Sequence, residues 1–298
     1  MTPGALAVRI LFLSQTVLGM LGNSALICCF IIIDFTGIGT KPIDLIVKHL
    51  TFANIMVILS KGIPQTMAAF GHTYFLDDAS CKLLFYLHRV GRGVSLGSTF
   101  LLSVFQAITI SPLNSKWVWL KFKVSKFIGP LLGLCWSLSL LVNIFIIMIV
   151  TDMSDKGNLT EFRQFIYCLV VKSSKQSCII YLILLSFGDA ICLGLMMWAS
   201  GSIVLILFKH KQKVQHIHSS LSTKSFPEIK ATQRILTLVC SFVVLYGISV
   251  TLLMYLSFQA EIDTWLVNAN VAMSACFPAL CPFLFFRHFI KGFQPFST

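Results

Sequence analysis

The chain has 298 residues, of which 56% are hydrophobic and 11% charged, and its mean hydropathy is +0.86. That makeup lies outside the range of soluble domains and argues against a water-dissolved enzyme. The net charge of +12 does not point to nucleic acid, because the cations sit in short connections between apolar runs, without an aromatic-interleaved basic face.

The first apolar run is Val8–Ile33. It is far longer than the roughly 7–15 residues of a signal-peptide core, so it is expected to be a retained helix. Lys41 follows, and then the second run, Ile43–Phe70, with Lys48 and His49 near one end and Lys61 near the other. The third run, Leu83–Ile110, begins just after Cys81 and contains His88, Arg89 and Arg92. A basic connection with Lys116, Lys121, Lys123 and Lys126 leads to the fourth run, Phe127–Val150.

The longest acidic and polar connection comes next. It holds the sequon Asn158-Leu159-Thr160, then Cys168, with Cys178 at the edge of the fifth run, Ile179–Phe208, where Asp189 lies. Lys209, Lys211, Lys213, Lys224, Lys230 and Arg234 fill the next connection, which begins in a helical pattern extending the fifth run. The sixth and seventh runs are Ile235–Phe258 and Leu266–Phe286, followed by Arg287 and Lys291.

Each run reaches the roughly 20 residues needed to cross the hydrocarbon core, and all are too long and continuously apolar for barrel strands. The expected architecture is therefore an all-α membrane protein, a seven-transmembrane helix bundle forming one domain over residues 1–298. Lys and Arg concentrate in the first, third and fifth connections and the tail, which the positive-inside rule places in the cytoplasm. The N-terminus is then extracellular and the C-terminus cytoplasmic, in a multi-pass plasma-membrane protein. The sequon at Asn158 falls independently on the outer side.

Of the ten cysteines, Cys28, Cys29, Cys135, Cys192, Cys240, Cys276 and Cys281 lie within apolar runs and behave as small hydrophobes. Cys81, Cys168 and Cys178 are the candidate disulfide partners. Cys81 with Cys168 is the expected pair, with Cys178 as the competing partner hindered by its closeness to the fifth span.

Ionisable side chains at membrane depth face inward or mark function. Arg92 and Asp189 both lie roughly 15 Å below the outer ends of their helices at 1.5 Å per residue. They are expected to pair if the third and fifth helices are neighbours, either as a structural ion pair or as the floor of a ligand cavity with Arg89, His88 and Lys61. Lys61 lies near the outer mouth, where snorkelling to water competes with ligand contact. Lys48 and His49 are expected to reach toward the cytoplasm.

No His-Glu-x-x-His helix, Gly-x-x-x-x-Gly-Lys loop or Gly-x-Ser-x-Gly elbow is present, and His210, His216 and His218 lack acidic or thiol co-ligands. Neither enzymatic activity nor a metal or cofactor is expected. A small transporter is the competing membrane class, but the chain carries no internal repeat. A seven-span receptor whose helices rearrange when an outer cavity fills is the better match.

Specific stretches sharpen this reading. Asp44-Leu45-Ile46-Val47-Lys48-His49-Leu50, Gly62-Ile63-Pro64-Gln65-Thr66, His88-Arg89-Val90-Gly91-Arg92-Gly93 and Leu101-Leu102-Ser103-Val104-Phe105-Gln106-Ala107 closely resemble vomeronasal type-1 pheromone receptors. Trp136, Leu185-Ser186-Phe187-Gly188-Asp189, His210-Lys211-Gln212-Lys213-Val214-Gln215-His216 and Cys276-Phe277-Pro278 continue the resemblance in order. It covers nearly the whole chain.

The resemblance implies a chemosensory G-protein-coupled receptor for pheromone-like small molecules, signalling through an inhibitory-class heterotrimeric G protein. It also implies that the family's loop disulfide and glycosylated loop fall on Cys81, Cys168 and Asn158. Lys116, Lys121, Lys123, Lys209, Lys211, Lys213 and Arg234 are the candidate G-protein contacts. Gln106-Ala107-Ile108 stands where many receptors have Asp-Arg-Tyr, and Asn54 where many carry Asp. A bitter-taste-like or orphan receptor, or a non-signalling receptor copy, are the neighbouring alternatives.

Overall fold

The computed structural model describes residues 3–36, 41–72, 76–111, 118–144, 147, 150–151, 162–165, 168–171, 175–217, 227–258 and 264–292. Seven helices among them are long and apolar enough to cross a membrane. The first is Pro3–Phe35, the third Asp78–Ile110 and the fourth Val118–Val142. The fifth is Lys175–Ile217, continuing through the basic segment, the sixth Pro227–Phe258 and the seventh Thr264–Gly292.

The second span is built in three pieces: Pro42–Val57, a π-helical turn over Ile58–Gly62, and Ile63–Ala69. Pro64 dictates the interruption. Its ring has no N–H to give the carbonyl of Ser60 and would crowd it in a regular helix. The chain widens instead, and Ile63 N–H bonds the carbonyl of Ile58. The helix then ends in a Schellman turn. Gly71 takes φ +101°, its N–H bonds the Ala68 carbonyl at 3.0 Å, and His72 N–H bonds that of Met67 at 3.1 Å.

The third helix starts at Asp77, whose carboxylate accepts the Ser80 N–H at 3.2 Å. Hydrogen bonds from Ser80 hold that carboxyl below its ordinary range. This helix is the hub of the bundle, packing on the second, fourth, fifth and sixth.

The fourth helix departs from the reading of Phe127–Val150. It stops at Val142, and Val150 instead opens a strand. The apolar run continues past the helix, so hydropathy alone does not mark its end. The Tyr86 hydroxyl does, by donating at 3.0 Å to the Leu140 carbonyl, one of the groups a terminating helix leaves without an intrahelical partner.

Strands β1 (Val150–Thr151), β2 (Phe162–Phe165) and β3 (Cys168–Val171) form an antiparallel sheet of order β1-β3-β2 in the connection between the fourth and fifth spans. The membrane-crossing part is all-α as expected. The sheet is an addition that strands this short do not announce in sequence, and β1 packs against the third helix.

The bundle is apolar outside as well as in. Trp198 is 70% exposed, and Leu184 and Phe187 are 65% exposed, an arrangement suited to lipid rather than water. Inside, Leu26, Leu50, Leu102, Ile128, Met196 and Phe242 fill one continuous core.

Prolines are met here by close packing and by polar side chains. A Cβ on Gly22 would sit 2.7 Å from Cγ of Pro282, so the first helix needs glycine to approach the seventh. Because the proline ring cannot yield, Gly22→Val should destabilise the bundle by about 1–3 kcal/mol through overpacking. A lowered thermal midpoint of the purified chain in detergent checks this, whereas an unchanged midpoint would mean that the two helices separate freely.

Candidate functional site

Two helices present complementary polar faces at the spacing of one helical stripe. The third offers His88, Arg92 and Ser95, and the sixth offers Phe242, Tyr246 and Ser249, each set at i, i+4 and i+7. Between them and the seventh helix lies a cavity of about 20 Å³, to which His88, Arg92, Tyr246, Ser249, Met273 and Phe277 contribute walls. Val57 adds a wall from the second helix. Among the described residues, the fifth helix enters indirectly, through Asp189 and its bond from Tyr246.

Arg92 organises this site. It is 9% exposed, and its guanidinium lies 4.1 Å over the Tyr246 ring, a cation–π geometry. Nη1 donates to Ser249 Oγ at 3.0 Å, and that hydroxyl donates in turn to Asn270 Oδ1 at 3.0 Å. Nε and Nη2 are buried without a hydrogen-bond partner among the described residues, as is Nδ1 of His88. Buried donors of a charged group left open in this way are costly unless something else meets them.

The expected direct pairing of Arg92 with Asp189 is not made. Tyr246 stands between them, offering its face to the guanidinium and donating its hydroxyl to Asp189 Oδ2 at 3.0 Å. A cation on the third helix and a carboxylate on the fifth are thus joined through the sixth, because an aromatic ring with a polar tip fills the gap between them.

Arg89 makes its hydrogen bond away from the cavity while staying within electrostatic reach of His88, Lys61 and Tyr246. Its Nε donates to Asn143 Oδ1 at 3.3 Å, tying the third helix to the end of the fourth. Lys61 rides on the π-helical turn of the second helix, within electrostatic reach of Arg89 and Arg92, and His88 is within reach of all three. The result is a cationic region whose one nearby carboxylate among the described residues, Asp189, is engaged by Tyr246.

Lys48 and His49 do more than reach toward a membrane surface. Lys48 pairs with Asp34 at 2.6 Å and lies 5.7 Å over Phe30, while His49 Nδ1 accepts the Trp136 indole N–H at 3.0 Å.

Below the cavity, a chain of buried polar groups crosses four helices. Pro282 has no N–H for the Pro278 carbonyl, which would be its partner in a regular helix. Asn23 Nδ2 takes that place at 2.8 Å. Asn54 Nδ2 donates to Asn23 Oδ1 at 3.5 Å, and Ser95 Oγ to Asn54 Oδ1 at 3.4 Å. Asn23 and Asn54 are fully buried.

Cys81 is buried and disulfide-bonded. Cys28, Cys29, Cys135, Cys192, Cys240, Cys276 and Cys281 are free, which among ten cysteines leaves Cys168 or Cys178 as its partner. Cys168 opens β3, and its side chain, like that of Cys178, lies outside the described residues. So do Asn158, Lys116 and the side chains of Lys121, Lys209, Lys211, Lys213 and Arg234. Lys123 is exposed in the first turns of the fourth helix.

Tyr246, Ser249, Asn270 and the Asn23–Asn54–Ser95 chain are absent from the residues singled out by charge. The signal that would have found them is weaker: uncharged polar side chains recurring at helical spacing inside apolar runs.

The family model of the vomeronasal organ pheromone receptor family matches residues 6–290. The chain is 47% identical over 275 residues to vomeronasal type-1 receptor 4 of Homo sapiens, covering 92% of this chain and 91% of that one. It is 45% identical over 273 residues to vomeronasal type-1 receptor 2 of Homo sapiens, covering 91% of this chain and 69% of that one. More distantly, it is 29% identical over 275 residues to olfactory receptor class A-like protein 1 of Danio rerio, covering 92% of this chain and 86% of that one.

Proposed function

The chain belongs to the vomeronasal organ pheromone receptor family, and from that premise we propose that it is a pheromone receptor that binds a small molecule beside Arg92. The seven spans make it a multi-pass membrane protein. In our reading the cavity opens toward the exterior, and the opposite end activates an inhibitory-class heterotrimeric G protein through Lys116, Lys121, Lys123, Lys209, Lys211, Lys213 and Arg234. The concentration of Lys and Arg in alternate connections, and the sequon at Asn158, support that orientation.

We take Cys168 as the partner of Cys81. Cys168 begins the strand that pairs with β1, and β1 rests on the third helix that carries Cys81. Such a bridge ties the sheet over the mouth of the cavity.

The observation that carries the proposal is the buried Arg92 guanidinium, two of whose nitrogens have no hydrogen-bond partner among the described residues while the side chain lines a cavity. A buried guanidinium of this kind complements a ligand bearing a hydrogen-bond acceptor, best an anionic one. A cavity of about 20 Å³ holds little more than a water molecule. Ligand entry therefore requires the sixth and seventh helices to move from the third, and that movement is how binding becomes a signal.

Expression of the full chain with a chimeric G-protein reporter, surface delivery being confirmed by an external antibody, tests this. Small sulfates and carboxylates should evoke saturable responses that their neutral isosteres do not. Accumulation of the same probes in vesicles without G-protein activation would favour a transporter and overturn the reading.

A further inference from the structure

We infer that Ser249 is the positioning residue that couples ligand recognition at Arg92 to the packing of the sixth helix on the seventh. This deepens the receptor reading and rests on it.

A serine hydroxyl has one proton to give. In this site it goes to Asn270 Oδ1 at 3.0 Å, while a lone pair of the same oxygen receives Arg92 Nη1 at 3.0 Å. The two bonds are therefore in series. One oxygen holds the third helix to the sixth and the sixth to the seventh, and all three side chains are buried, Ser249 completely and Asn270 at 7% exposed. The sixth helix also supplies Tyr246 on the same face one turn away, so Arg92 is held from two sides by one helix.

This arrangement has a directional consequence. With Nη1 fixed on Ser249 and one face on Tyr246, Nε and Nη2 are left buried with no hydrogen-bond partner among the described residues, on a side chain that lines the cavity. A ligand acceptor that draws the guanidinium toward itself competes with Ser249 for the same cation. Once Nη1 leaves, the hydroxyl loses the donor that polarises it, and its bond to Asn270 weakens. Recognition on the third helix thereby loosens the junction of the sixth and seventh.

The relay can be read without a ligand. In the purified full chain, thermal midpoints of Ser249→Ala, Asn270→Ala and the double variant form a cycle. Serial bonds predict that the double variant melts no lower than the worse single one, and that Ser249→Thr, which keeps the hydroxyl, melts close to the wild type. Additive losses, or a Ser249→Thr chain that melts as low as Ser249→Ala, overturn the relay.

The coupling is read separately, as ligand-independent nucleotide exchange on an inhibitory-class G protein at equal receptor amounts. Ser249→Ala should raise it at least about fivefold, the size expected when even one of the two bonds made by its hydroxyl holds a two-state equilibrium. An unchanged rate beside a measurable wild-type rate overturns the coupling role. A wild-type chain that drives no exchange at all, with or without anionic probes, overturns instead the receptor reading on which the role depends.

Discussion

Replacing Asn23 by Ala should abolish most surface delivery and lower the thermal midpoint of what remains more than any other single polar truncation in the bundle. Pro282 leaves the carbonyl of Pro278 without its helical donor, and the Asn23 amide at 2.8 Å supplies one. The same side chain gives its oxygen to Asn54. Alanine orphans both groups at a site with no exposure. Each unsatisfied buried group costs about 1–3 kcal/mol, so the sum is of the order of the stability margin of a single domain.

Asn23→Asp sharpens the test. It keeps an acceptor for Asn54 but has no donor for the Pro278 carbonyl and buries a charge, so it should fail as badly as alanine. Normal surface levels of Asn23→Ala, measured with an external antibody, would show that the seventh helix satisfies that carbonyl in some other way.

The second large effect concerns ligand response rather than folding. Arg92→Met keeps an unbranched apolar stem and removes the guanidinium. Two charge-assisted hydrogen bonds to the ligand, at about 1.5–3 kcal/mol each, are then lost, which predicts a fall in potency of more than ~100-fold at unchanged surface level. Arg92→Lys should not rescue it, because a single ammonium cannot bond Ser249 and present a two-nitrogen fork to the cavity at once.

Tyr246→Phe provides the contrast. The ring beneath the guanidinium stays, and only the bond to Asp189 Oδ2 goes. Potency should fall by about tenfold, the lower end of what one hydrogen bond to a charged group is worth. Equal losses for Arg92→Met and Tyr246→Phe, read from dose–response curves at matched surface expression, would mean that Arg92 matters only through its partners in the protein.

The seven spans were legible in the sequence because hydropathy over some twenty residues is a bulk property that local detail cannot hide. Rise per residue brought Arg92 and Asp189 into one neighbourhood, and both touch Tyr246. Azimuth was not legible. Whether two side chains at one depth touch depends on how each helix is rotated and on what a third helix inserts between them, and Tyr246 settles that for this pair. Arg89, three residues before Arg92, turns to Asn143 for the same reason.

The end of the fourth helix was hidden differently. Its apolar run passes from helix toward strand β1 without a change of composition, and the stop is marked by a tertiary bond from Tyr86. The prolines were visible, but not what answers them: a π turn at Pro64 and the Asn23 amide at Pro278. Both answers depend on where backbone groups are left open, and composition carries no trace of that.

A small molecule engaging Arg92 should drive G-protein activation. Nucleotide exchange by an inhibitory-class G protein, measured on membranes carrying equal surface amounts of the wild-type and Arg92→Met chains and titrated with small sulfates and carboxylates, tests it most directly. The account predicts saturable exchange with the wild type and none over the same range with Arg92→Met. Equal responses from the two chains would contradict it, because the cavity beside Arg92 would then not be where the ligand acts.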